Sequence, residues 1–204
     1  SCREGMFTVR HIEKDWYFEV PESLLGKLIL SVTRFTSVPQ GFSMYGGEEV
    51  QRNAIYFELH NEKVMFLRSY AKSVSVDEDE HINSLVATAT IDPILYRFDV
   101  IGRNPDTRAL LVNVTKLFET DTKVGGIIQS DRTQVKLGAL QADRTMIDTI
   151  RAYPINVEVA TLRTYAATGG VSAAERSGFI TVGLNTSFVM LPDEPMRHRY
   201  ADER

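Results

Sequence analysis

At 204 residues, with 43% hydrophobic and 25% charged residues, the chain has the composition of one ordinary globular domain with room for a small appendage, not of a disordered polymer. A net charge of −4 and a pI near 5.6 supply no electrostatic footprint for nucleic acid. No apolar run approaches the roughly 20 residues of a membrane helix, and Ser1-Cys-Arg-Glu-Gly5 lacks the apolar core of a signal peptide. A single cysteine, Cys2, rules out an intrachain disulfide framework. Nothing after it separates a lipid-anchor site from a free thiol.

In chain order, Phe7-Thr-Val-Arg-His-Ile12 and Trp16-Tyr-Phe-Glu-Val20 flank Glu13-Lys14-Asp15 and read as a β-hairpin. Pro21-Glu-Ser-Leu-Leu-Gly26 suits a single helical turn stopped by Gly26, and residues 28–35 form another strand. These first 36 residues bury too little alone and are expected to dock on the rest. The Gly-rich stretch 37–49 is the first clear loop and the most plausible internal boundary. Its glycines lack the spacing of a nucleotide fingerprint, and no Lys-Ser or Lys-Thr follows to hold a phosphate.

A second hairpin spans 53–59 and 63–70 around His60-Asn61-Glu62, with Ile55, Phe57 and Leu59 expected to meet Val64 and Phe66 across the ladder. Asp77-Glu-Asp-Glu80 precedes Ile82, Leu85, Val86 and Ala89 at helical spacing. Negative charge at a helix start, with Asp77 or Asp79 as cap, fits better than a calcium loop, because the Asp-x-Asp-x-Asp-Gly pattern and its distal Glu are absent. A third hairpin pairs 94–101 with 108–114 through the turn Asn104-Pro105-Asp106. After a turn at Lys116-Leu-Phe118, the polar, Gly-containing region 121–135 is expected on the surface.

The segment 142–151 predicts a short helix capped by Asp143, with Met146, Ile147 and Ile150 as its apolar stripe and Pro154 as its end. A strand over 155–166 and a loop over 171–177 lead to the last strand, 180–191. There Ile180, Val182, Leu184, Phe188 and Met190 share one face, and Pro192 and Pro195 stop the pattern. The expected fold class is α+β: strand-rich, mainly antiparallel sheet built from hairpins, with two or three short helices. The expected organisation is a small β unit (1–36) docked on a main domain (37–191), followed by a junction (192–204) that packs sparsely on this module.

Chemistry-bearing motifs are few. His11, His60, His81 and His198 are scattered and form no zinc-ligand spacing. Gly41-Phe-Ser-Met-Tyr45 lacks the second glycine of a serine-nucleophile elbow. Asp193 and Glu194, like the 77–80 run, sit in polar stretches that give a carboxylate no reason to shift its pKa. The glycosylation patterns Asn113-Val-Thr115 and Asn185-Thr-Ser187 fall in expected strands. No catalytic, cofactor-binding or metal residue is assigned.

Several phrases taken in order nevertheless resemble a bacterial family of large zinc-dependent metalloproteases. They are Met6-Phe-Thr-Val-Arg10, Asp15-Trp-Tyr-Phe-Glu-Val-Pro-Glu-Ser-Leu-Leu-Gly26, Ser31-Val-Thr-Arg-Phe35 and Tyr45-Gly-Gly-Glu-Glu-Val50 in the first quarter of the chain. Leu110-Leu-Val-Asn-Val-Thr-Lys-Leu-Phe118, Tyr153-Pro-Ile-Asn-Val-Glu158, Asn185-Thr-Ser187 and Pro195-Met-Arg-His-Arg-Tyr-Ala-Asp-Glu-Arg204 continue the series. The resemblance implies non-catalytic domains N-terminal to a metzincin-like catalytic domain. The zinc cofactor would then be held downstream by His-Glu-x-x-His-x-x-Gly-x-x-His, a motif not present in these residues. It further implies an exported, periplasmic or cell-surface location, and a partner in the downstream catalytic domain of the same polypeptide. Support or cover of that domain is one expected role. Independent binding of an envelope polymer or protein through the 38–49 or 120–134 loop is the alternative.

Overall fold

The structure, a computed structural model, describes residues 2–71, 91–167 and 169–192. The period-two alternation of apolar residues is answered by eleven strands among them. These are β1 (Cys2–Arg3), β2 (Thr8–Ile12), β3 (Asp15–Val20), β4 (Ile29–Ser37), β5 (Glu49–His60), β6 (Val64–Ser69), β7 (Ile94–Arg103), β8 (Leu110–Asn113), β9 (Met146–Ala152), β10 (Asn156–Ala166) and β11 (Phe179–Met190). They form one sheet, antiparallel at every pairing, in the order β1-β2-β3-β8-β7-β6-β5-β4-β11-β10-β9. Three short helices, α1 (Thr115–Glu119), α2 (Gln129–Gln134) and α3 (Ser172–Ser177), join 3-10 turns at Glu22–Leu24 and Ala142–Arg144. The chain is thus strand-rich and antiparallel as expected, but mostly β, with the helices reduced to connections.

The sheet curls until its two edges almost meet, making a nearly closed barrel. Across the seam, the Met6 N–H donates to Tyr153 O at 2.7 Å and Arg3 Nη1 donates to Ile150 O at 2.6 Å. Gly5 makes the close approach possible: a Cβ there would stand 2.6 Å from the backbone N and O of Tyr153. Closure of this kind removes the exposed edges that invite aggregation.

Alternate side chains of the strands fill the inside. Phe7, Phe18, Phe57, Phe188, Ile29, Ile55, Met65 and Leu67 are fully buried in one cluster, and Phe35, Tyr165, Ile180, Val182 and Leu184 lie in a second. The β5–β6 register differs by one residue from the expected pairing. Phe57 faces Leu67 and Leu59 faces Met65, while Val64 and Phe66 turn outward. Asn61 and Glu62, both left-handed (φ 53° and 58°), set this register, and a one-residue slip exchanges the two faces.

Residues 142–151 are a correction. The expected helix is the 3-10 turn Ala142–Arg144 followed by β9, an edge strand paired with β10. Ile147 faces Thr161 and Thr149 faces Ala160, so Asp148 is a bulge without a partner across the ladder. The extra residue puts Ile147 and Ile150 on the same buried face three positions apart, which imitates helical spacing. Met146, the third member of the supposed stripe, is 55% exposed.

Region 121–135 is a second correction. Val124, Gly125, Gly126, Ile127 and Val135 are buried, while Lys123 and most of α2 lie at the surface. The loop expected over 171–177 is α3, closed by the Gly178 N–H on Ala174 O. Strand pairing at the C-terminal end stops with the Leu191 N–H on Leu28 O, next to Pro192 as expected. The 77–80 acidic run with its helix and the 193–204 junction lie outside the described residues.

The seam yields a prediction. Gly5→Ala forces its Cβ into the Tyr153 backbone and is expected to destabilise the fold by about 1–3 kcal/mol, the range for overpacking. A lowered urea midpoint at unchanged slope would register it.

Candidate functional site

The site is built from an irregular segment threaded into the barrel. Between α1 and α2 the chain carries backbone groups with no strand to pair them, and inside a barrel each needs a partner. Polar side chains pointing inward from three strands supply several of these partners. Thr33 Oγ1 on β4 donates to Val124 O at 2.9 Å and shares a 2.8 Å hydrogen bond with Thr186 Oγ1 on β11. From β5, Gln51 Nε2 donates to Gly126 O at 2.6 Å, and Asn53 Nδ2 donates to Lys123 O at 2.7 Å. Gly126 permits the tight turn, since a Cβ there would meet Asp121 Cα at 2.7 Å.

Arg163 on β10 is the central clamp and is 0% exposed. Its Nη2 donates to Phe118 O, and its Nη1 donates to Thr120 O at 3.0 Å and lies 3.3 Å from Asp121 Oδ1. The guanidinium therefore covers carbonyls left open at the C-terminal end of α1, where a positive charge is also favoured by the helix dipole. Tyr165 Oη donates to the same carboxylate oxygen at 2.7 Å, and Arg132 Nη1 lies 3.1 Å from its other oxygen. Burial, with the Asp121 carboxylate adding to it and Arg163 opposing it, holds the Tyr165 phenol far above its ordinary pKa. A second phenol, Tyr56, is pushed up to about 12 by burial and by its 2.9 Å hydrogen bond to Asp92.

Held this way, the segment emerges at the barrel end occupied by the loop 38–48. The two loops named from sequence meet there: Gly41, Phe42 and Ser43 from one side and Gln134 from the other line a depression of about 180 Å³ with Lys136 and Gly170. Through Gly41, Gly170 and Val171 it continues into a shallower space of about 520 Å³ reaching Gln40, Ser172 and Arg176. Among the described residues, Lys136 and Arg176 are the charged residues lining this groove, and both are cations. It can therefore receive a polar or anionic group through backbone, hydroxyl and cationic donors.

The other candidates are dispersed. His11 stacks on Trp16 with ring centroids 4.1 Å apart, His60 packs on Phe66, and Cys2 is an exposed free thiol. His81, His198, Asp193 and Glu194 lie outside the described residues. Asn113 accepts from the Thr115 N–H, and Asn185 donates to Glu158 at 2.6 Å, so both glycosylation patterns sit in hydrogen-bonded strand positions. No three His, Cys, Asp or Glu side chains among the described residues are grouped to hold a metal. No helix among them is long and apolar enough to cross a membrane. Sequence reasoning missed Asp121, Arg163 and Tyr165. The available signal was Arg163 on the inward face of Val157, Val159, Thr161 and Tyr165, where a charge demands buried partners.

The fold and groove define an all-antiparallel, internally plugged β-barrel with a polar groove at one end. Residues 47–204 match the model of the family described as Domain of unknown function (DUF5117), and the chain belongs to that family. Residues 1–38 match a second, Domain of unknown function (DUF5118). The two matched regions share one sheet, since β4 pairs with both β5 and β11. No curated protein and no solved structure matches the chain.

Arg163→Leu leaves the Phe118 and Thr120 carbonyls without their donor and Asp121 with Arg132 as its remaining cation, and is expected to cost about 3–5 kcal/mol, against roughly 1 kcal/mol for Tyr165→Phe, in urea unfolding. A pH series adds a signed test. An unfolded phenol titrates near 10, below the folded value of Tyr165, so its contribution is whole below about pH 10 and is lost as pH rises toward the folded value. Between about pH 8 and 11, the native chain should lose more stability than Tyr165→Phe.

Proposed function

We propose that this chain is the non-catalytic N-terminal module of an exported bacterial zinc-dependent metallopeptidase, and that it supports or covers the catalytic domain following it. The observation that carries this reading is the plugged barrel. Two family regions close on each other as one unit whose interior is filled by strand side chains and by part of its own 115–128 segment, which leaves the wall and the two ends for contact with another body. The ordered run of phrases resembling the metalloprotease family supplies the identity of that body, and the zinc belongs to it. A periplasmic or cell-surface location is part of the same reading.

A second reading, an independent binding module for an envelope polymer or protein, is favoured by one observation: a groove lined by Lys136 and Arg176 and, among the described residues, by no carboxylate. On that reading Lys136→Glu with Arg176→Glu would abolish retention on an acidic glycan array. A screen returning no specific ligand removes it.

The first reading is tested by comparing the full-length parent with a form lacking residues 1–204. Loss of soluble, folded catalytic domain or a large drop in peptidase activity is expected. Unchanged folding and activity would sink the proposal.

A further inference from the structure

Resting on the first reading above, in which a catalytic domain follows in the same polypeptide, we infer that this domain docks on the barrel end opposite the groove. Its contact surface is the β9–β10 turn with the residues around it. Tyr153 and Ile155 are 43% and 60% exposed there. Beside them, Met6, Pro21, Leu24, Pro154 and Met190 line a depression of about 280 Å³. Large apolar side chains clustered beside such a hollow mark a contact surface more than scattered ones do.

Three further observations point to a tethered occupant. Strand β11 delivers the chain to this end: the Met190 N–H donates to Ile155 O at 2.9 Å and the Leu191 N–H to Leu28 O at 3.1 Å. A domain attached after the 192–204 junction is therefore tethered to this end, at an effective concentration of about millimolar order for a short flexible linker. The patch is also held in shape before anything binds. The Tyr153 N–H donates to Asn156 O at 2.8 Å, and its carbonyl accepts from the Met6 N–H, so docking orders little new backbone. Finally, Met6, Pro21, Leu24, Pro154 and Met190 make up most of the lining here, with Lys27 as its one cation among the described residues, whereas Lys136 and Arg176 place two cations on the groove at the far end. Apolar burial suits a lasting contact between domains, which typically covers roughly 600–1,500 Å².

Hydroxyl-radical footprinting of the full-length parent tests this with an internal control. Ile155 and Ile101 are the same side chain at 60% and 57% exposure, one at the proposed contact and one on β7. Ile155 is expected to be oxidised several-fold more slowly than Ile101, and Ile155→Asp should raise oxidation of Tyr153. Equal rates, or protection of Ile101 instead, would overturn the inference while leaving the module's proposed role intact. Protection of Ile155 that disappears on dilution would assign the patch to a second copy and overturn it as well. A parent polypeptide carrying no catalytic domain would defeat the reading beneath it.

Discussion

An irregular peptide segment inside a β-barrel can exist only if its carbonyls and amides find partners there, and that requirement organises this molecule. The segment after α1, residues 120–128, enters the interior at Val124–Ile127, and carbonyls of Phe118, Thr120, Lys123, Val124 and Gly126 are met by Thr33, Gln51, Asn53 and Arg163 from three strands. Arg163 matters most because it is a full charge without solvent. Its desolvation is offset by two carbonyls and Asp121, and Asp121 in turn is held by Tyr165 and Arg132. One cationic side chain thus couples β10, the end of α1 and the start of the path to α2.

The second constraint is closure. An eleven-stranded sheet with free edges would expose two rows of backbone donors and acceptors, and the seam at Met6, Arg3 and Tyr153 covers part of each. The region matched by the smaller family contributes β1–β4, including one side of that seam. The larger region contributes β9 on the other side. Neither region alone closes the barrel, which gives a physical reason for finding them joined in one sheet.

These two constraints also direct the functional reading. A barrel filled by its own chain presents its chemistry at the ends, and the ends differ in kind. One gathers loops 38–48 and 134–136 with α3 into a cationic polar groove. The other is lined by Met6, Pro21, Leu24, Pro154 and Met190 together with Ser23 and Lys27, and lies beside the end of β11.

Much of the strand framework was legible because one buried face per strand leaves a period-two imprint, as in β11, where Ile180, Val182, Leu184 and Phe188 point inward. Turn residues were equally readable: Asn104 accepts from the N–H groups of Asp106 and Thr107, as an Asx turn should. Local pattern failed where a distant partner changed its meaning. The bulge at Asp148 turned a strand's buried pair into a helix-like spacing, and the β5–β6 register depended on a left-handed turn. The plug failed for the same reason, since polar and glycine-rich residues read as surface until Thr33, Gln51 and Arg163 are known to await them inside. By itself, then, the sequence determined most of the extended segments, β9 excepted, and many of the residues that turn the chain, because those follow from steric and hydrophobic preferences of neighbours. Only the tertiary structure decided that the 121–128 segment lies within the barrel and that its two loops share one groove, because buried hydrogen bonds between residues tens of positions apart leave no periodic trace.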